Sequence, residues 1–266
     1  MVVDASWTES NADELPNLDR ARAIVRLLHK DDAVAALLRS CNEVGEAFLF
    51  GGMVRDAILG ASGAFGDIDI FVSGPLDADF ARSLSRYSRR TNFGGMRLVV
   101  GKFDVDIWEL PQSQAFRIEK GRPISIPSLL DTVCFSTDAV AISLLDSRVI
   151  ATSKFRGTVR DKVLKFVSVP RGTELLQAVR IARLLVKLDL IPHFDIAKYF
   201  LAAIAEFGAA GLVKAEEKWK GRRVLDDFLV EGVRLLCESS VTTGVPATLS
   251  LDEELFSGEP SDVRVA

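Results

Sequence analysis

Apolar positions recur at helical spacing through residues 17–41. Ala21, Ile24, Val25, Leu27 and Leu28 share one side of a helix, and after Lys30-Asp31-Asp32 the pattern resumes with Val34, Leu37 and Leu38. Two helices are therefore expected. Ala47-Phe48-Leu49-Phe50 is a short apolar run closed by Gly51-Gly52, which predicts a buried strand running into a turn. Residues 53–59 return to helical spacing and stop at Gly60, a glycine suited to a helix C-terminus. The stretch 61–66 (ASGAFG) reads as a flexible loop. Residues 67–72 then alternate polar and apolar, which predicts a strand with one wet face. A helix is expected over 77–90, a hairpin over 96–100 and 103–110 turning near Gly101-Lys102, and a second strand pair over 139–145 and 149–152.

From Thr173 the period changes. TELLQAVRIARLLVKLDL is helical throughout, and three further helices are expected near 193–207, 212–219 and 222–238. Beyond residue 238 the chain is rich in Ser, Thr, Gly, Pro and acid, which predicts a disordered tail over 239–266. No internal repeat is visible. The pattern gives an α+β head over residues 1–170 followed by a small helical unit over 171–238.

Composition narrows the chemistry. With 266 residues, 48% of them hydrophobic, the chain can bury a sizeable core. Its apolar runs fall short of the roughly 18 to 20 residues that span a bilayer. The opening MVVDASWTESNADE lacks the basic-then-apolar order of a signal peptide. The expectation is a cytoplasmic protein with no membrane partner. Cys41, Cys134 and Cys237 form no CxxC pair, and the only histidines are His29 and His193. A zinc cluster, a disulfide framework and a serine-histidine triad are all disfavoured. Acid–base or metal chemistry then falls to carboxylates. The net charge of −4 argues against a protein that coats nucleic acid. Yet between Arg148 and Leu190 ten cations face three acids, which suits either a phosphate-bearing ligand or a solvated helix face.

Three features carry candidate chemistry. Glycines at the Gly51-Gly52 turn let backbone N–H groups approach phosphate oxygens, with a helix N-terminus behind them. Asp67 and Asp69, two apart on a strand, point to one side. Adjacent like charges repel unless a cation sits between them. A pair of Mg²⁺ ions roughly 3.5–4 Å apart relieves that repulsion and serves attacking and leaving oxygens, with Mn²⁺ as an alternative metal. Phe103-Asp104-Val105-Asp106-Ile107-Trp108 is a second strand with its acids on a single face, and would supply a third carboxylate. Trp108 is expected to pack in the core, as are Phe194, Tyr199, Phe200, Phe207 and Cys134.

These residues carry a resemblance. GGMVRDAILG followed by DIDIFV is similar to the GGxVRDxLLG…DxD signature of tRNA CCA-adding enzymes and bacterial poly(A) polymerases, in the polymerase β nucleotidyltransferase superfamily. LLQAVRIARLLVKLDL resembles that family's neck helix, with Arg180, Arg183, Lys187 and Leu188 in register. The resemblance implies that Gly51, Gly52 and Arg55 hold a triphosphate and that Asp67 and Asp69 bind Mg²⁺. Asp106 falls where the third acid falls, with Asp104 its rival. It also implies nucleotide contacts from Arg180 and Arg183. Residues 132–139 align with the family's RRDFTINA motif but keep little beyond Phe135, leaving Asp138 or Asp131 for its acid. The implied activity moves NMP from an NTP to an acceptor hydroxyl on an RNA or tRNA 3′ end, a small molecule or a protein. The alternative is a non-catalytic nucleotide-binding module on the same fold.

Overall fold

The computed structural model describes residues 15–61, 67–76, 80, 89–90, 95–118, 121–169, 173–221 and 223–243. Helices α1 (Leu18–Leu28) and α2 (Asp32–Val44) form as their spacing predicts. Asp31 caps α2, its carboxylate accepting the N–H groups of Ala33 and Val34 at 3.1 Å. Strand β1 (Ala47–Phe50) runs into α3 (Gly52–Ile58), and Gly60 takes the left-handed conformation just past that helix. Then come β2 (Ile68–Val72), β3 (Arg89–Arg90), β4 (Met96–Val100) and β5 (Phe103–Glu109). Short helices α4 (Gln114–Ile118) and α5 (Ile126–Leu130) precede β6 (Val140–Ser143), β7 (Val149–Ala151), α6 (Ser153–Asp161) and β8 (Val163–Leu164). The chain continues through α7 (Glu174–Leu188), β9 (Ile191–Pro192), α8 (Phe194–Lys220) and α9 (Asp227–Thr243).

Seven strands form one mixed sheet in the order β3-β4-β5-β2-β1-β6-β7. β2 lies antiparallel to β1 and parallel to β5, and the hairpin β4–β5 closes at Gly101-Lys102 as expected. Both faces of the sheet are covered. On one, Leu49, Ile68, Ile70, Val105, Ile107 and Ile142 pack under α1, α2 and α3. On the other, Phe48, Phe71 and Ala141 pack under Phe116, Ile126, Leu129 and Leu130 of α4 and α5. The α+β class expected from the sequence is the one found.

A separate apolar core joins α7, α8 and α9 through Ile181, Leu185, Ile196, Phe200, Leu212 and Val233. Phe135 and Leu164 of the preceding segment belong to it too.

Several expectations need correction. The wet face foreseen for residues 67–72 is wet only at its start, because Phe71 is buried beneath α4 and α5. Those two five-residue helices were too short to register as a period. Of the helix expected over 77–90, Phe80 is helical and Arg89–Arg90 are the edge strand β3; the other positions lie outside the described residues. The loop at 61–66 falls outside them too, apart from Ala61. The two helices expected near 193–207 and 212–219 are found within α8, separated at Gly208, whose backbone (φ 68°, ψ 165°) is not helical. By length and composition that element could cross a membrane. It instead buries Ile196, Phe200 and Leu212 in the core it shares with α7 and α9. Finally, α9 runs to Thr243, past the tail boundary set at residue 239 by composition; its buried Val233, Cys237 and Ser240 hold it to its neighbours.

Candidate active site

Strand register builds the acidic cluster. β2 and β5 run parallel with Ile68 opposite Val105 and Asp69 opposite Asp106. Asp67 and Asp104 stand one step before the first of those pairs, so four carboxylates gather at one end of two neighbouring strands. Asp67 and Asp104 are exposed, Asp69 is half-buried and Asp106 is buried. Further along the same face the acids give way to Phe71 and Trp108, stacked at 5.3 Å, with Phe50 edge-on to Phe71. Trp108 is therefore packing, as expected.

Asp69 is the electrostatically strained member. Burial raises its pKa first, and the neighbouring charges of Asp106, Asp67 and Asp138 add to this; together they push it up to about 7 against a weak opposing pull from Lys220. The turn that follows β1 is shaped around it. Gly51 has φ 78°, and a Cβ there would stand 2.5 Å from Asp69 Oδ2. Only glycine fits both constraints.

Around the acids lies a chain of ion pairs joining the head to α7. Arg55 of α3 donates to Asp138 Oδ1 at 2.7 Å and to Asp56 Oδ1 at 2.8 Å. Burial alone would lower its pKa, but Asp138 and Asp56 more than offset that and leave it above its ordinary value. The other oxygen of Asp138 accepts from Arg180 at 2.9 Å, and the Arg180 guanidinium lies 5.0 Å from the Phe135 ring centre. Lys187 donates to Asp56 Oδ2 at 2.6 Å. Arg183 pairs with Glu216, which is fully buried and also accepts the Val224 and Leu225 N–H groups at 2.8 and 2.7 Å.

The expected nucleotide-binding residues Gly52, Arg55, Arg180 and Arg183 thus line one cavity of about 280 Å³ together with Asp67 and Asp69. Asp138 stands behind them, holding Arg55 and Arg180 with its two oxygens. Asp131, the other candidate acid, caps the end of α5, so it has a structural place there. The carboxylates of Asp67 and Asp69 are hard oxygen donors of the type Mg²⁺ and Mn²⁺ prefer, and they fit such an ion. Asp106 is brought beside Asp69 but arrives already paired: Arg97 Nε and Nη2 reach its two oxygens at 2.7 and 2.5 Å. Among the described residues no group of three or more His, Cys, Asp or Glu side chains is arranged to hold a metal ion.

No family model and no curated protein matches the chain. Solved structures do. The chain is similar to a tRNA nucleotidyltransferase complexed with a primer tRNA and an incoming ATP analog, at 21% identity over 78% of this chain and 63% of that one, TM-score 0.54. It is similar to a CCA-adding enzyme in complex with CTP, at 18% identity over 80% of this chain and 54% of the other, TM-score 0.54. The Thermotoga maritima CCA-adding enzyme complexed with tRNA gives 18% identity over 81% and 53%, TM-score 0.54. The chain has the fold that these structures share over the matched region. The chain spans between 53% and 63% of the length of these three neighbours.

A larger cavity of about 1260 Å³ shares Asp67 with the smaller one and is lined by Lys30, Arg97, Lys102, Phe103 and Asp104 among others. Trp219 and Lys220, at the end of α8, line both cavities, as do Met53 and Asp67, so the two cavities adjoin at these residues. Sequence reasoning missed Arg97, Trp219, Lys220 and Glu216. Arg97 was within reach: a two-residue turn at Gly101-Lys102 pairs Val100 with Phe103, and counting back pairs Arg97 with Asp106. The other three are brought to the site by helix packing, for which no local signal exists.

Proposed function

We propose that this chain is a metal-dependent nucleotidyltransferase that moves NMP from an NTP to an acceptor hydroxyl and releases pyrophosphate. The observation that carries the reading is the paired register of Asp69 and Asp106, which gathers acids against a cavity walled by Arg55, Arg180, Arg183 and Lys187. In the transfer the acceptor oxygen bonds to the α-phosphorus while the bond from that phosphorus to the α–β bridging oxygen breaks. Pyrophosphate leaves, and the hydroxyl proton passes to water. Asp67 and Asp69 would hold Mg²⁺, which when bound neutralises charge on the transferring phosphoryl group and makes the attacking hydroxyl more acidic. Such chemistry depends on positioning and charge neutralisation rather than on covalent catalysis, which suits a site rich in acid and poor in histidine.

The cations of the smaller cavity face where a triphosphate would lie. Each arginine there is already paired with an acid, but a guanidinium carries five N–H donors, so one carboxylate does not exhaust it. Asp138 acts through Arg55 and Arg180, fixing both. Residues 1–170 form the catalytic head in this reading, and 171–238 form a neck-like unit whose α7 supplies Arg180, Arg183 and Lys187. Lys30, Arg97, Lys102 and Phe103 in the larger cavity, and the tRNA in two of the neighbouring structures, support an RNA 3′ end as acceptor over a small molecule or a protein.

Labelled NTPs incubated with Mg²⁺, the protein and a small-RNA pool test this directly, with an Asp67→Ala/Asp69→Ala variant alongside. Label transfer that disappears in the variant is the expected result. NTP binding without transfer to any acceptor would favour a nucleotide-binding module instead. The ion pairs that already engage Arg55, Arg180 and Arg183 are the observation on that side.

A further inference from the structure

The third carboxylate of the cluster does not share the situation of the first two. Asp106 is 5% exposed and lies between two cross-strand partners, Asp69 on the parallel strand β2 and Arg97 on the antiparallel strand β4. Arg97 meets it edge to edge, Nε to Oδ1 and Nη2 to Oδ2. Two parallel N–H···O bonds of this kind form the strongest and most directional pairing a carboxylate makes with a side chain. The strand register fixes both ends of the pair, so side-chain flexibility alone does not account for it. The Arg97 side chain is 56% exposed, and it stands at the wall of the larger cavity beside Asp67 and Asp104.

Charge counting gives the pairing a consequence. Asp67, Asp69 and Asp106 carry three negative charges when ionised. A fixed guanidinium against Asp106 leaves two, which one divalent ion balances. Without the guanidinium the same three acids would present a deeper well, with Asp106 open beside Asp69. We propose that Arg97 withholds Asp106 from the metal, so that in the nucleotide-free protein the divalent ion is held by Asp67 and Asp69 without the third carboxylate. This deepens the function proposed above and rests on it. Arg97 is a positioning residue here: it acts on the metal site through Asp106.

The test is Mn²⁺ binding to the intact, nucleotide-free chain, followed by the paramagnetic resonance signal of free Mn²⁺ and by calorimetry. Arg97→Ala/Asp106→Asn removes the pair together and keeps the net charge of the cluster, so it should leave Mn²⁺ affinity within about twofold of wild type. Arg97→Ala should tighten Mn²⁺ binding by about tenfold or add a second ion. That gain should vanish in Arg97→Ala/Asp106→Asn. A merely structural Arg97 would give no gain that depends on Asp106. Circular dichroism on each variant separates loss of fold from loss of metal.

Loss of Mn²⁺ binding in a folded Arg97→Ala/Asp106→Asn variant overturns the inference, since Asp106 would then be a ligand despite its arginine. So does an Arg97→Ala variant that is folded and binds no better than wild type. If wild type shows no Mn²⁺ binding that Asp69→Asn removes, the metal site of the proposed function fails, and this inference with it. An Asp69-dependent site weakened in the charge-conserving Arg97→Ala/Asp106→Asn variant sinks the inference alone.

Discussion

Asp69→Asn should raise the stability of the metal-free protein at neutral and alkaline pH while abolishing nucleotidyl transfer. The Asp69 carboxyl is pushed from 3.8 to about 7, chiefly by burial and then by Asp106, Asp67 and Asp138. Its folded-state pKa therefore lies above its unfolded value. Between those two values the unfolded chain binds fewer protons than the folded one, so stability falls as pH rises. The penalty is absent below about pH 4 and fully present above about pH 7. A shift of roughly three units corresponds to on the order of 4 kcal/mol, with about 2 to 3 kcal/mol of it lost between about pH 5 and pH 8. Asparagine keeps the shape and cannot ionise.

Urea unfolding in EDTA across that range is the assay. Wild type should lose stability steeply toward alkaline pH, and the variant should lose much less. Adding Mg²⁺ should recover the loss in wild type but not in the variant, because a ligand that binds only the folded state stabilises it. Parallel pH profiles for the two proteins in EDTA would refute the reasoning: Asp69 would then ionise at no cost, and the acids would not form the strained cluster described.

Gly51→Ala should weaken metal binding and cost on the order of 1–3 kcal/mol, because the position has φ 78° and the new Cβ would collide with Asp69 Oδ2; Mn²⁺ titration and thermal unfolding check both effects. Glu216→Ala leaves Arg183 unpaired and the Val224 and Leu225 N–H groups without their acceptor, and should lower stability by about 3–5 kcal/mol in urea unfolding, while Glu216→Gln should cost less. Arg55→Met should raise the Kd for NTP by about tenfold or more and destabilise the fold by a few kcal/mol, since it strips one of two partners from the buried Asp138; equilibrium dialysis with labelled NTP reads the first effect. Trp219, 40% exposed where the two cavities adjoin, should change its fluorescence on NTP binding, and Trp219→Phe should remove most of that change despite Trp7 and Trp108 remaining.

How much of this was legible beforehand divides along the range of the interaction involved. Helices α1, α2, α3 and α7 and the hairpin β4–β5 were readable because their periods and turn residues are local. So were Asp67 and Asp69, since two positions on one strand must share a face. Helices α4 and α5 were not readable, because five residues hold too little periodicity, and their effect was to bury a face of β2 that looked wet. The break at Gly208 agrees with the sequence: the two helices inferred on either side of it are separated by a residue outside the helical conformation.

The acids and the cations of the site were visible in sequence, but their pairing was not. Arg55 and Asp138 are 83 residues apart, and Lys187 and Asp56 are 131 apart. The fold of the head decides the first pairing, and the packing of α7 against the head decides the second. That packing also sets what the site can do. With Arg180 and Lys187 anchored to Asp138 and Asp56, the wall opposite Asp67 and Asp69 belongs to the helical unit, while the acids belong to the sheet. A head freed of α7 would keep its strand register, its acids and Arg55 but lose Arg180, Arg183 and Lys187. The dependence of nucleotide binding on residues 173–190 therefore measures the junction, while the dependence of metal binding on Asp69 measures the head, and the two should separate under mutation.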